Sequence, residues 1–80
     1  MIYFVYVIKS VFKNYIYVGL TNNIDRRFNQ HNLGKEKTTK PYKPFKLILV
    51  EEFNSRPLAR KRDIYLKSGC GKEYIKSLIK

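Results

Sequence analysis

The chain opens on an unbroken apolar run, Ile2-Tyr-Phe-Val-Tyr-Val-Ile8, whose β-branched and aromatic side chains suit a strand covered on both faces. The stretch Ser10 to Asn14 punctuates it, and Tyr15 to Leu20 resume as a second strand, so the simplest pairing is an antiparallel hairpin. A loop with an even number of residues would pair position 6 with an odd-numbered residue and set the hydroxyls of Tyr6 and Tyr17 on one side of the sheet. An odd loop would separate them. Gly19 then breaks the strand, and Thr21, Asn22 and Asn23 lead into a helix from about Ile24 to Leu33, with Asn22 or Asn23 as N-cap, Asp25 in the first turn and Gly34 as a left-handed stop. Ile24 and Phe28 mark its inner stripe. Arg27 and His31, one turn apart, share an edge of that stripe and point toward the sheet margin.

Residues Lys35 to Pro44 carry four lysines, one glutamate and two prolines without periodicity and read as a basic loop. Phe45 to Phe53 follow as a third strand, in which Leu47, Ile48, Leu49 and Val50 are too apolar to face water on both sides. Ser55 caps a second helix that accepts Pro57 in its first turn. The spacing sets Leu58, Ala59, Tyr65 and Leu66 on its inner face, Arg62 amid that face and Asp63 at its flank; Ser68-Gly69 ends it. A third short helix, about Lys72 to Ile79, offers Tyr74, Ile75, Leu78 and Ile79 to the core. The elements sum to a single α+β domain over residues 1–80, a three-stranded antiparallel sheet flanked by about three helices.

Charge changes this picture most. Seventeen Lys and Arg against six Asp and Glu give a formal net charge of +11, a field that attracts polyanions, nucleic acid first among them. Between Asn54 and the end there are eight basic residues and two acids, which makes that half the DNA-facing one. Arg26, Lys37, Lys40, Arg60 and Lys67 are the candidate phosphate contacts. Cys70 is the sole cysteine, so neither an intramolecular disulfide nor a cysteine-based zinc site can form, and a reducing cytoplasmic setting fits. The apolar run at Met1 to Ile8 lacks a basic leader and is too short to span a bilayer, so no membrane association is expected.

A phenol, a guanidinium and an imidazole thus meet near one strand-to-helix junction, groups that can bind a phosphodiester and move its protons. With Val5-Tyr6-Val7, Tyr17-Val18-Gly19, the run Thr21-Asn22-Asn23, and Arg27 and His31 at their spacing, the chain resembles the GIY-YIG nuclease superfamily, and within it the small single-domain endonuclease-type members. Gly34, Thr39-Lys40, Pro44, Glu51-Glu52-Phe53, Ser55-Arg56, Ala59, Arg62, Leu66-Lys67 and Gly69-Cys70-Gly71-Lys72-Glu73 extend the resemblance nearly end to end. A lone Tyr-Val-Gly would not carry it; the spacing from tyrosine to arginine to histidine does.

The resemblance implies hydrolysis of DNA phosphodiester bonds with one divalent metal, usually magnesium, in repair or recombination. It implies that Tyr6, Tyr17, Arg27 and His31 are catalytic, that Gly19 is structural at the site, and that a helix-borne carboxylate binds the metal. Such a set suits the chemistry, since a metal polarises phosphate oxygens, a cation offsets developing charge and a base removes the water proton. A tyrosine with an ordinary pKa near 10 serves as base only if cationic neighbours lower that value, and Arg27 has the right sign. Two departures stand out. Asp63 occupies the position of the family glutamate with an arm one methylene shorter, and the asparagine that some relatives place after it has no match between Ile64 and Lys80. Asp63 could instead pair with Arg60 or Lys67 on its own helix. Two other functions are compatible with the sequence: a nucleic-acid-binding module on the same fold without turnover, and a protein-interaction domain whose charge only solubilises it.

Overall fold

The first strand is central. In the computed structural model, which describes residues 1–79, β1 (Tyr3–Ser10) lies between β2 (Ile16–Thr21) and β3 (Phe45–Phe53) in one antiparallel sheet. Val5, Tyr6, Val7 and Ile8 are all buried, as an uninterrupted apolar run requires when both faces are covered. The alternation of the strand divides them. Val5 and Val7 join Val18, Ala59, Leu66 and Ile75 in one cluster, while Tyr6 and Ile8 join Phe45 in a second, with Tyr15, Tyr17, Ile24, Phe28 and Tyr42 packed around it.

The hairpin register pairs Tyr6 with Gly19 and Ile8 with Tyr17, so the connection is even and both phenols stand on the second face. Gly19 has a steric reason to be glycine. A Cβ built there would collide with the Tyr6 hydroxyl and ring, so the missing side chain lets the Tyr6 ring lie across β2.

Helix α1 (Ile24–Asn32) covers the Tyr6 face; Asn23 is its N-cap, accepting the Arg26 amide at 3.0 Å. Gly34 follows with φ +76°, the left-handed stop. The basic loop has more order than its sequence suggests. It holds a 3-10 turn over Lys40–Tyr42, and the Tyr42 ring stacks on Tyr15 with centroids 3.8 Å apart. β3 is an edge strand, and of the four residues too apolar to face water on both sides Ile48 and Leu49 pack against the core while Leu47 and Val50 stay exposed.

Helices α2 (Arg56–Lys67) and α3 (Gly69–Ile79) cover the opposite face. Ser55 caps α2 as expected. The buried residues of α2 are Ala59, Asp63 and Leu66, so the inner face is rotated away from Leu58 and Tyr65, both exposed. On α3, Gly71 and Ile75 are buried and Ile79 packs against the core, whereas Tyr74 and Leu78 stay exposed. Arg62 explains part of the difference. It is not in the core but reaches Glu51 on β3 through two bonds of 2.7 and 3.1 Å, with its guanidinium 5.1 and 5.4 Å from the Tyr65 and Tyr74 ring centroids. The two tyrosines are used to hold that cation.

Only Ser68 separates the two helices, and α3 starts three residues earlier than the periodicity places it. The Ser68 hydroxyl accepts the Gly71 amide at 3.2 Å, so the residue that ends α2 also caps α3. At Gly71 a Cβ would collide with the backbone of Tyr65 and Leu66, whereas at Gly69 it would meet nothing within 4 Å. Gly71→Ala is therefore expected to destabilise the fold by about 2 kcal/mol or more, lowering Tm by roughly 8–16 °C. Gly69→Ala should stay within about 0.5 kcal/mol of wild type. Thermal melts of the two variants check this.

Candidate active site

An imidazole is among the fully buried polar groups of the molecule. His31, on the last turn of α1, is fully buried beside Tyr6, Tyr17 and Phe45, and both of its nitrogens are engaged. Nε2 lies 2.9 Å from the Tyr6 hydroxyl and Nδ1 2.8 Å from the Thr39 hydroxyl. The Thr39 hydroxyl in turn donates to the Glu36 carbonyl at 3.4 Å. A hydroxyl has one proton to give, so the Thr39 contact to the Glu36 carbonyl favours the tautomer in which Nδ1–H donates to Thr39 and the bare Nε2 accepts from the Tyr6 O–H. The chain of donors runs one way, from Tyr6 through His31 and Thr39 to a backbone carbonyl. Thr39 has no exposure at all; its only sequence signal is its place beside Lys40 in the family resemblance.

Arg27, one turn before His31, donates to Glu36 Oε2 at 2.9 Å and to Gln30 Oε1 at 3.1 Å. Burial opposes its charge, but the bond to Glu36 and the neighbouring phenols of Tyr6 and Tyr17 outweigh it and hold its proton more tightly than in a free guanidinium. Glu36 responds in the opposite sense, its carboxyl held below the ordinary range chiefly by the Arg27 hydrogen bond. The Arg27 effect on Tyr6 is too small to make that phenol a base. Burial pushes Tyr6 up to about 12, and the nearby guanidinium only partly offsets the rise, the reverse of the lowering expected from the charge balance. Burial, and then the Arg27 charge, shift His31 below its ordinary value. The site thus holds a neutral imidazole and a protonated phenol beside a cation.

Tyr17 differs from Tyr6. Its ring lies 6.2 Å from that of Tyr6 and 5.0 Å from His31, but it is only half-buried and sits on edge strand β2, where it borders a groove between β2 and helices α2 and α3. Lys67, which also lines that groove, lies 3.2 Å from Asp63 Oδ1. The β2 edge is therefore where the α1 and α2 sides of the sheet come together.

The structure brings Tyr6, Tyr17, Gly19, Arg27 and His31 into one cluster and leaves Asp63 outside it. Asp63 lies between Ala59 and Leu66 on α2, turned toward the Val5 face and paired with Arg60 at 2.8 Å and with Lys67. Both same-helix pairings open to it in the sequence are made. Its buried Oδ1 makes no hydrogen bond but lies 3.2 Å from Lys67 Nζ, so an ion bound there would take the place of that ammonium. Among the described residues no group of three or more His, Cys, Asp and Glu side chains is clustered. A lone carboxylate can serve only an ion that draws the rest of its shell from water and phosphate oxygens.

Of the candidate phosphate contacts, Arg26 and Arg60 line a second groove of about 560 Å³ at the end of the sheet, together with Arg27 and Arg56. Four arginines from two helices face one space. Arg56 escaped the sequence reading because Ser55-Arg56-Pro57 reads as a cap. Lys37 and Lys40 stand exposed on the loop after α1.

Thr39→Val keeps the shape and removes the only partner of His31 Nδ1, so it should cost about 1–3 kcal/mol in urea unfolding and change the His31 tautomer seen by nitrogen NMR. The native His31 pKa is depressed while the unfolded one is near 6.5. Below pH 6.5 the unfolded state therefore binds the extra proton, and stability falls as pH drops from there toward the native value. Unfolding free energies measured between pH 7.5 and 5, about one unit above and more below the ordinary histidine pKa, should show this slope in wild type and lose it in His31→Gln.

The model of the GIY-YIG catalytic domain matches residues 2–74. A UPF0213 protein of Staphylococcus haemolyticus is 32% identical over 77 residues, covering 95% of this chain and 93% of that one. A UPF0213 protein of Vibrio parahaemolyticus is 39% identical over 64 residues, and the chain spans 59% of its length. Among solved structures, the solution NMR structure of a UPF0213 protein from Bacillus halodurans matches with a TM-score of 0.58 at 32% identity, covering 98% of this chain and 85% of that one. GIY-YIG nucleases act on nucleic acids and generally use divalent metals, and no described helix here is long and apolar enough to cross a membrane. The domain match, the relatives and the shared fold agree: the chain belongs to the GIY-YIG family of nuclease domains.

Proposed function

We propose that the protein is a cytoplasmic, magnesium-dependent endonuclease that hydrolyses DNA phosphodiester bonds in repair or recombination, acting along the β2 edge. The observation that carries this reading is the division between the two phenols. Tyr6 is buried, protonated and committed to His31. Tyr17 stands half-buried at the open edge, near the Arg27 charge. Tyr17 is the phenol that can meet a water and a phosphate, and Tyr6, His31 and Thr39 form the hydrogen-bonded, tilted ring cluster behind it. Arg27 offsets charge on the scissile phosphate, and Glu36 with Gln30 fixes its guanidinium in place.

A divalent ion supplies Lewis-acid polarisation of a phosphate oxygen, and Asp63 is the residue to hold it. Arg26, Arg56 and Arg60 contact the backbone on either side of the cut bond, with Lys37, Lys40 and Lys67 as outer contacts. The low count of carboxylates at the site favours a second reading, a binding module without turnover, and the same experiment separates them.

Arg27→Ala and Asp63→Asn, each confirmed folded by circular dichroism, should cut single-turnover cleavage of labelled DNA by about a hundredfold or more. Chelator should abolish it in wild type. Wild-type binding that is steeply salt-dependent without cleavage under any metal would establish the module instead.

A further inference from the structure

The groove beside Tyr17 has a composition that backbone binding does not need. Its floor is apolar, made by Val18, Leu66 and Ile75 with Ile16 at the edge, and its sides carry Lys67, Lys72 and Lys76. Val18, Leu66 and Ile75 are buried, the half-buried Ile16 offers aliphatic surface at the edge, and the lysines are exposed, Lys67 and Lys76 being paired with Asp63 and Glu73 on their own helices. Its volume is about 370 Å³, within the range of small-molecule sites. It runs along β2, the edge strand, and is distinct from the four-arginine groove at the end of the sheet. The two surfaces divide the tasks of a nucleic-acid site. The arginine groove, lined also by Tyr3, Leu20, Thr21, Asn22 and Gln30, is dominated by groups that suit phosphates, whereas an apolar lining under lysines suits a flat, weakly polar ring that carries phosphates on both sides.

We propose that this groove is a subsite for one unpaired nucleobase, with Lys72 and Lys76 holding the phosphates that flank it. A paired base keeps its faces stacked and its edge hydrogen-bonded and cannot enter; a base in a single strand, a flap or a bulge can. The inference deepens the nuclease reading and rests on it, because the groove runs along the outer edge of β2, the strand that carries Tyr17 on its other face, so a base captured there lies around one strand edge from the phenol. The substrate class is DNA with an unpaired nucleotide at the cleavage site.

The test is fluorescence anisotropy in chelator, so that nothing is cut, with two probes: a fully paired duplex and the same duplex carrying a short unpaired stretch. Wild type should bind the second about tenfold more tightly. Ile16→Glu places a like charge among the phosphates and a polar group on the floor, and should bring the ratio to about one. The surface double variant Lys72→Ala/Lys76→Ala, which touches no core residue, should lower it to about threefold or less. Arg26→Ala should weaken both probes and leave the ratio unchanged. Equal wild-type affinities, or a ratio that survives both groove variants, would overturn the subsite. Cleavage assayed separately with magnesium keeps the two claims apart: a preference for unpaired DNA without cleavage leaves the subsite standing and removes the nuclease, and equal binding with cleavage does the reverse.

Discussion

A buried imidazole with a hydroxyl on each nitrogen is the constraint on which the rest of this small protein depends. An unpaired polar group in the interior costs about 1–3 kcal/mol, a large share of what a chain of 80 residues has to spare. His31 is fully buried, so the fold must deliver Tyr6 from the central strand and Thr39 from the loop to the same point. Tyr6 can come close only because Gly19 lacks a side chain, and Thr39 only because the loop after α1 folds back and Tyr42 stacks on Tyr15. The sheet register, the first helix and the basic loop are tied together at one ring.

That arrangement also sets the chemistry. Burial keeps His31 neutral and Tyr6 protonated, and Tyr17 is the more exposed of the two phenols. Arg27 keeps its charge under all ordinary conditions, with Glu36 as counter-ion and Gln30 as a second acceptor. On the proposed nuclease reading, the cation is aimed before any phosphate arrives, the preorganisation that stabilises developing charge in a partly desolvated site.

Much of this was legible in the residues. The N-cap before Ile24, the left-handed stop at Gly34 and the cap at Ser55 follow from short-range rules and are found, and the two-sided burial expected of Ile2 to Ile8 holds for Val5 to Ile8, with Ile2 exposed and Tyr3 and Phe4 half-buried. The shared face of Tyr6 and Tyr17 followed once the loop parity was known. What the sequence did not show depends on long-range contact. Tyr65 and Tyr74 match the helical core period yet lie outside, because the Arg62–Glu51 pair between α2 and β3 draws them to its cation. The start of α3 at Gly69 depends on Gly71 lying against the end of α2, which no local pattern reveals. The sign of the Tyr6 shift was missed for the same reason: charge can be counted in a sequence, but desolvation needs the fold.

The account stands most directly on the unequal roles of two tyrosines one strand apart. Single-turnover cleavage of an unpaired DNA substrate with magnesium, compared for Tyr6→Phe and Tyr17→Phe, measures it. The account predicts that Tyr17→Phe loses about a hundredfold or more in rate at unchanged stability, while Tyr6→Phe loses about 1–2 kcal/mol of stability and keeps most of its rate. A Tyr17→Phe variant as fast as wild type, or a Tyr6→Phe variant that folds normally and does not cut, would contradict it.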